Sequence, residues 1–412
     1  MTELLQRNVR LYPWYVGLFH AYFWLPIYFL FFNSKLGLAD VLYLASIYFA
    51  SVVVIEVPSG WFSDTFGRKK TLVTASCFLC VAYTLFIFAN SFEHFVIAQM
   101  FLAAGIAFNS GTDTSFLLET TQELNDEEAY GPCEAKAMKF NFLGTATAAV
   151  LGGLASIPDY RGAYILSLCG GIGLLAITLS FKEPTKNDKE DRVNFFKQIV
   201  SCFALLQNVR LLWLSFFAVF IIIINHIPYE FYQPFIEELA KKYDAIKATP
   251  LLSSVHLTLT MLVASWIASR SIRIKNNIGT NATLLSAAGL QLAVIAIMHF
   301  FLSVPAAIAT LLRSCPRALM TAPLNVAVAP NVPASKRATF LSLQSLFGRL
   351  GYSLTLATFA SMTGDNTWSS ISNMLGWGMW LGLAGFAVLL VTSSIKNTPQ
   401  RKHDRSGSSI TQ

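Results

Sequence analysis

The chain has 412 residues, 54% of them hydrophobic and only 13% charged, with a mean hydropathy of +0.52. Soluble domains carry about 25% charged residues, so this composition excludes a soluble enzyme, a disordered chain and a small disulfide-rich module, and leaves a polytopic membrane protein. The net charge of +7 does not argue for a nucleic-acid partner, because basic residues of such a protein gather in its cytoplasmic loops.

Apolar runs long enough to cross a bilayer recur along the whole chain. Their spacing predicts twelve spans, near 12–32, 39–62, 71–90, 93–118, 136–157, 161–181, 210–230, 250–269, 279–301, 304–329, 337–362 and 372–394. Met1–Arg10 is too polar, and the first apolar run too long, for a cleaved signal peptide. Cys77 and Cys80 form a C-x-x-C inside an apolar run, where packing accounts for them better than a metal or redox site. The mixed-charge segment Lys182–Gln198 follows the sixth span and reads as a linker. The predicted organisation is an N-terminal six-helix bundle at 1–181, a cytoplasmic linker at 182–209, a C-terminal six-helix bundle at 210–395 and a polar cytoplasmic tail at 396–412. Two such halves suit a transporter that rocks around a central site.

Lys and Arg set the orientation. With the N-terminus inside, five of the 30 fall in outside loops (Lys35, Arg161, Lys241, Lys242, Lys247) and three in the membrane (Arg313, Arg317, Arg349); the remainder lie inside. Both termini are therefore expected in the cytoplasm.

The loop after the second span reads Gly60-Trp-Phe-Ser-Asp64-Thr-Phe-Gly67-Arg68-Lys69-Lys70. Gly60 permits close helix approach, Gly67 allows a tight turn, and Asp64 is favoured near a helix N-terminus. This run resembles the signature loop of the major facilitator superfamily, G-x-x-x-D-x-x-G-R-R/K, and stands where that family carries it. Twelve spans, a mid-chain loop and inside termini extend the resemblance over essentially the whole chain. The resemblance implies an all-α membrane fold of two pseudo-symmetric bundles and secondary transport by alternating access. It implies that spans one, four, seven and ten line the cavity and that spans two and eleven face each other. It also implies a partner for Asp64 near Arg337–Leu341, and a partner for Arg68 in Glu119 or Asp113.

The sequence departs from the family pattern in places. The second-half loop, Ser269–Gly279, keeps Arg270, Arg273 and Lys275 but lacks the Asp. Span four has Gln99 and Met100 where many proton-driven exporters carry Arg. The exporters' span-five pattern survives only as Gly144, Gly152 and Gly153, with Ala148 and Ala149 between. The strings Glu56-Val-Pro-Ser-Gly60, Phe108–Asp113 and Lys336–Ser342 resemble a bacterial branch described as drug-like or unassigned transporters.

Ionisable groups inside spans cost at least ~2.5–3.5 kcal/mol and mark a pathway or a pair. The acids are Glu56, Asp113, Glu119 and Glu230; the bases are Arg313, Arg317 and Arg349. Arg313 falls roughly 13 Å deep in span ten, with Arg317 one turn further on. A guanidinium there suits bidentate capture of a carboxylate or phosphate; the other reading is a salt bridge to Asp113 or another acid. Glu56 and Arg349 would pair across the halves and close the inside. Glu56, Asp113 and Glu119 are the candidate proton carriers, with His20 and His226 as further candidates. His20, Tyr22, Trp24, Asn225 and His226, with Arg313 and Arg317, are candidate solute contacts, although the aromatic richness of span one also suits lipid-facing packing.

No P-loop, zinc-ligand motif or nucleophile elbow occurs, so the chain reads as no enzyme and no cofactor is expected. Transport energy then comes from an ion gradient, protons first and sodium second. The expected function is secondary transport of a small organic solute, leaning to efflux of drug-like or siderophore-like compounds. The alternatives are proton-coupled uptake of a small, anionic nutrient and a non-transporting sensor on the same scaffold. The expected partners are a small-molecule substrate, a proton and the lipid bilayer, the expected state is a monomer, and the expected site is a bacterial inner membrane.

Overall fold

A backbone in hydrocarbon must satisfy its own hydrogen bonds, which selects helices for the apolar runs. The computed structural model describes residues 2–185, 195–364 and 368–393, and every regular element among them is helical. The first bundle comprises α1 (Thr2–Phe19), α2 (Tyr28–Asn33), α3 (Leu38–Phe66), α4 (Arg68–Phe88), α5 (Phe92–Asn109), α6 (Thr112–Glu123), α7 (Tyr130–Ala155) and α8 (Arg161–Ser180). Helix α9 (Phe195–Ala204) lies within the expected linker. The second bundle comprises α10 (Val209–Lys242), α11 (Thr249–Ala268), α12 (Ser271–Ile278), α13 (Thr280–Phe300), α14 (Val304–Ala309), a 3-10 stretch at Thr310–Ser314, α15 (Cys315–Val328), α16 (Ala334–Ser361) and α17 (Trp368–Ser393). The expected tail at 396–412 and the middle of the linker, 186–194, lie outside the described residues.

Three spans expected as single helices are interrupted. Span one breaks between α1 and α2, where Pro26 disfavours helical backbone at Leu25. Span four breaks at Ser110–Gly111, with Gly111 at φ +73°. Span ten is split by the 3-10 stretch that carries Arg313. The first span also begins earlier than its hydropathy suggests. Asn8 is fully buried and exchanges hydrogen bonds with the backbone of Lys182, donating at 2.8 Å and accepting at 2.9 Å. Span seven, expected at 210–230, becomes the 34-residue α10, about 51 Å long against a hydrocarbon core of about 30 Å. Glu230 therefore sits well inside a helix rather than near its outer end.

Eight helical segments are long and apolar enough to cross a membrane on their own. Spans one and ten are divided into shorter pieces, while α7 carries Glu134, Lys136 and Lys139, and α16 carries Lys336, Arg337 and Arg349. Leu151, Ile172, Leu262, Trp380 and Val391 are exposed apolar side chains, as a lipid-facing surface requires.

Within the first bundle α3 packs on α5, α4 on α5 and α8, and α1 on α7; within the second α13 packs on α17 and α15, and α10 on α16. The bundles meet where α3 lies on α16, α7 on α11, and α2 on α10. Their pseudo-symmetry is visible in the backbone. Gly67 joins α3 to α4 at φ 102°, ψ 162°, and Gly279 joins α12 to α13 at φ 84°, ψ 162°. An even number of crossings puts Thr2 and Ser393 on one face, called the terminal face; the α2–α3 connection lies on the far face.

Candidate functional site

On the terminal face the Gly60–Lys70 loop is tied down by charge. Arg68 donates from Nε to Glu119 Oε1 at 2.9 Å and from Nη1 to Asp64 Oδ1 and Ser63 Oγ, each at 2.8 Å. Of the two expected acids, Glu119 pairs with Arg68 and Asp113 does not. The expected partner region for Asp64 contains Arg337, whose side chain lies outside the described residues. Gly60 has no close neighbour, since a Cβ there would meet nothing within 4 Å; helix approach is not its contribution in this conformation. Gly67 combines a positive φ with a Cβ position 2.7 Å from the Glu183 carboxylate. Glu183 went unnoticed in the sequence. Its oxygens accept from the backbone N–H groups of Arg68 at 2.6 Å and Lys69 at 3.1 Å, capping α4 with a negative charge. Nothing local signals this, because the residue lies far along the chain at the start of the linker.

Asp113 stands in the first turn of α6, just after the Gly111 break. Its carboxylate accepts from its neighbour's backbone at Thr114 (2.8 Å) and from Asn109 Nδ2 (3.3 Å). Tyr15 donates to Asn109 Oδ1, and Tyr12 donates to Glu134 Oε2 at 3.3 Å. Helices α6 and α7, which carry Asp113 and Glu134, are in contact, and neither acid has an ion-pair partner among the described residues. Glu134, in α7, is a second acid that the sequence reading passed over, because it lay outside the apolar run assigned to span five.

Between the bundles, Arg349 on α16 donates to Glu56 on α3 at 3.2 Å, both side chains half-buried. The expected cross-bundle pair is formed. Further toward the far face, the hydroxyl of Ser353 donates to Ser46 O at 2.9 Å. The broken span one is clasped by α10. The backbone N–H of Phe29 donates to Gln233 Oε1, and Gln233 Nε2 donates to Leu25 O, both at 3.0 Å. Gln233 is fully buried and was not a sequence candidate, since a neutral amide in an apolar helix carries no charge signal. Gly152 lies against the backbone of Phe23, and Gly153 against Ser254 and Pro250 of α11.

Aromatic rings cluster around the break in span one and the middle of α10. Trp24 and Tyr28 are 6.0 Å apart, Tyr28 stacks on Tyr229 at 6.4 Å, and His226 lies 4.8 Å from Tyr352 and 5.4 Å from Phe49. Tyr22 is 5.8 Å from His20 and 5.7 Å from Trp24. The expected residues His20, Tyr22, Trp24 and His226 thus share one aromatic wall rather than a lipid-facing surface. Each histidine bonds back along its own helix through Nδ1, His20 to Val16 O at 2.9 Å and His226 to Ile222 O at 2.6 Å. Trp24 Nε1, Tyr28 Oη and Asn225 Oδ1 are buried without hydrogen-bond partners among the described residues.

Two charges at this level also lack an opposite. Glu230 is 1% exposed; Tyr352 donates to its Oε2 at 3.4 Å, and its Oε1 is unpartnered. Arg313 is 2% exposed and lies over the Tyr232 ring at 3.9 Å. Its Nη1 donates to His256 Nδ1 at 2.8 Å and to Thr260 Oγ1 at 2.6 Å. The internal salt bridge to Asp113 is absent, and no carboxylate pairs with Arg313 among the described residues. His256 was a further unread residue. Because a guanidinium only donates, Nδ1 of His256 must accept, so its proton sits on Nε2, which faces Ala307 O at 3.1 Å. Arg317 is exposed on α15.

The sequence pattern of the Major Facilitator Superfamily matches residues 15–356. Among curated proteins none matches this chain significantly. Solved structures share its fold at low identity. The nucleoside transporter NupG superposes with a TM-score of 0.75 at 12% identity, covering 95% of this chain and 100% of that one. A D-xylose-proton symporter gives 0.70 at 15%, covering 94% and 97%. An inward-facing bacterial homologue of the human lysosomal transporter Spinster gives 0.67 at 13%, covering 95% of each. These neighbours are transporters rather than enzymes. With twelve spans in two pseudo-symmetric bundles and the family pattern across most of its length, the chain belongs to the Major Facilitator Superfamily of secondary transporters.

Proposed function

We propose that the chain takes up a small anionic organic solute by alternating access, coupled to protons, with Arg313 as its principal solute contact. The observation that carries this reading is the buried guanidinium of Arg313, which has neutral partners only among the described residues. A cation buried at such cost calls for an anion, and the solute is the anion the protein does not supply. An inside-negative potential opposes entry of an anion by about 2.3 kcal/mol per charge per 100 mV. A co-transported proton cancels that charge. Asp113 with its neighbour Glu134, and Glu230, are the carboxyls we assign to the proton. Sodium is the alternative ion.

In this reading Glu56 and Arg349 form a gate that opens when the solute or a proton competes for the pair. Gly60, Asp64, Gly67, Arg68 and Lys69, with Glu119, form the latch on the terminal face. His20, Tyr22, Trp24, Asn225, His226 and Arg317 wall the chamber. The bundles are 1–181 and 210–395, joined by 182–209. Both termini lie in the cytoplasm of a bacterial inner membrane, and the unit is a monomer. That a xylose-proton symporter shares the fold supports proton coupling. Export of a drug-like compound is the second reading, favoured by the Gly144, Gly152 and Gly153 pattern; the packing of Gly152 on Phe23 and of Gly153 on α11 accounts for two of those glycines without reference to direction.

The test is solute flux into proteoliposomes under an imposed pH gradient, acid outside, against a panel of anionic and neutral metabolites. The expected result is anion uptake with concurrent proton entry, with proton entry lost in Asp113→Asn and uptake lost in Arg313→Ala. Solute flux indifferent to the gradient would contradict the coupling, and flux intact in Arg313→Ala would contradict the contact.

A further inference from the structure

We infer that the transported solute is a carboxylate, seized by the free edge of Arg313. The inference rests on the transporter reading above and narrows it. A guanidinium has five N–H donors in a fixed fork. Both hydrogens of Nη1 are spent, one on His256 Nδ1 at 2.8 Å and one on Thr260 Oγ1 at 2.6 Å. One face is covered by the Tyr232 ring at 3.9 Å. The atoms left without a partner are Nε and Nη2, which share one edge and point two N–H bonds in parallel. That edge matches the two oxygens of a carboxylate.

The surroundings favour a single negative charge. Tyr232 covers one face of the guanidinium, Tyr28 stacks on Tyr229, and the buried Tyr28 hydroxyl has no hydrogen-bond partner among the described residues. The buried acid Glu230 stands next to Tyr229 in α10, so a second negative charge on the solute is disfavoured here; a phosphate monoester carries about −1.5 to −2 at neutral pH, whereas a carboxylate carries the single charge that Arg313 matches. Tyr28 belongs to the first bundle and Arg313 to the second, so a carboxylate held by both draws the bundles together. Its binding energy then favours the closed state, as alternating access requires.

His256 and Thr260 are positioning residues. His256 accepts from Arg313 while its protonated Nε2 faces Ala307 O and Thr310 Oγ1 at 3.1 and 2.9 Å, and Thr260 donates to His256 O at 2.8 Å. Their role is to consume Nη1 and leave the Nε–Nη2 edge as the unpartnered one.

The experiment measures ligand-induced thermal stabilisation of the purified full chain, using matched probes: acetate and acetamide, lactate and lactamide, benzoate and benzamide, with phenylphosphonate and benzenesulfonate. The result expected is stabilisation by at least one carboxylate, none by its amide, and weaker binding of the phosphonate and sulfonate. Arg313→Lys, which keeps the charge and loses the edge, weakens the best carboxylate about tenfold or more. Thr260→Val lowers the ratio of carboxylate to amide affinity, and Thr260→Ser restores it. Equal binding of amides, tighter binding of the phosphonate, or no carboxylate binding in the panel overturns the inference, and the comparison needs only the unaltered chain. Proton-coupled flux of a neutral solute would sink the carboxylate while leaving the transporter reading intact; absence of any gradient-driven flux would sink that reading instead.

Discussion

Gly67 holds a backbone conformation that side chains rarely adopt, and its missing Cβ is what lets the Glu183 carboxylate reach the start of α4. Gly67→Ala meets both penalties at once and is expected to cost about 1–3 kcal/mol, read as a lower melting temperature in lipid nanodiscs. Glu183→Ala is expected to cost about 1 kcal/mol through loss of the cap; an unchanged melting temperature would show that the cap is idle. The two residues were legible to different degrees. Gly67 announced itself by its place in a loop of four basic and acidic neighbours. Glu183 sat in a charged stretch that looked like solvated linker, and only the fold brings it to α4. Arg313 was legible as a charge in an apolar run, but its surroundings were not, because His256 and Thr260 look ordinary in span eight.

At the scale of elements, apolar runs located the spans well, since each needs about 20 residues to cross a bilayer. The runs were blind to breaks. Hydropathy averages over a window, whereas Pro26, Gly111 and the 3-10 stretch at Thr310–Ser314 act on the backbone. The breaks in spans one and ten carry groups we assign to the solute, as is common where ligands meet discontinuous helices. The clasp of Gln233 on the first break predicts a gate. Gln233→Leu removes three buried hydrogen bonds, two to span one and one to Tyr232 Oη, each worth about 0.5–1.5 kcal/mol. On an otherwise cysteine-free background, it should raise the labelling of Ser254→Cys by an impermeant maleimide from the far face. Labelling that does not change would assign Gln233 to packing alone. For the Glu56–Arg349 contact, each single alanine variant is expected to lower transport, and the exchange Glu56→Arg with Arg349→Glu to recover part of it. No recovery in the exchange would mean that these two groups work independently.

For the molecule as a whole, the proposed transport needs two bundles that trade contacts around a shared chamber. The charges inside the membrane agree with that picture: Glu56 and Arg349 meet across the bundles, and Arg313 and Glu230 are buried within the protein rather than turned to lipid. The most direct measurement uses pairs of spin labels in liposomes, one pair at Lys35 and Tyr243 on the far face and one at Phe66 and Ile278 on the terminal face, all four exposed. As pH and solute are varied, the account predicts that one distance lengthens when the other shortens. Two distances that stay fixed under every condition, or that always change in the same direction, would contradict it.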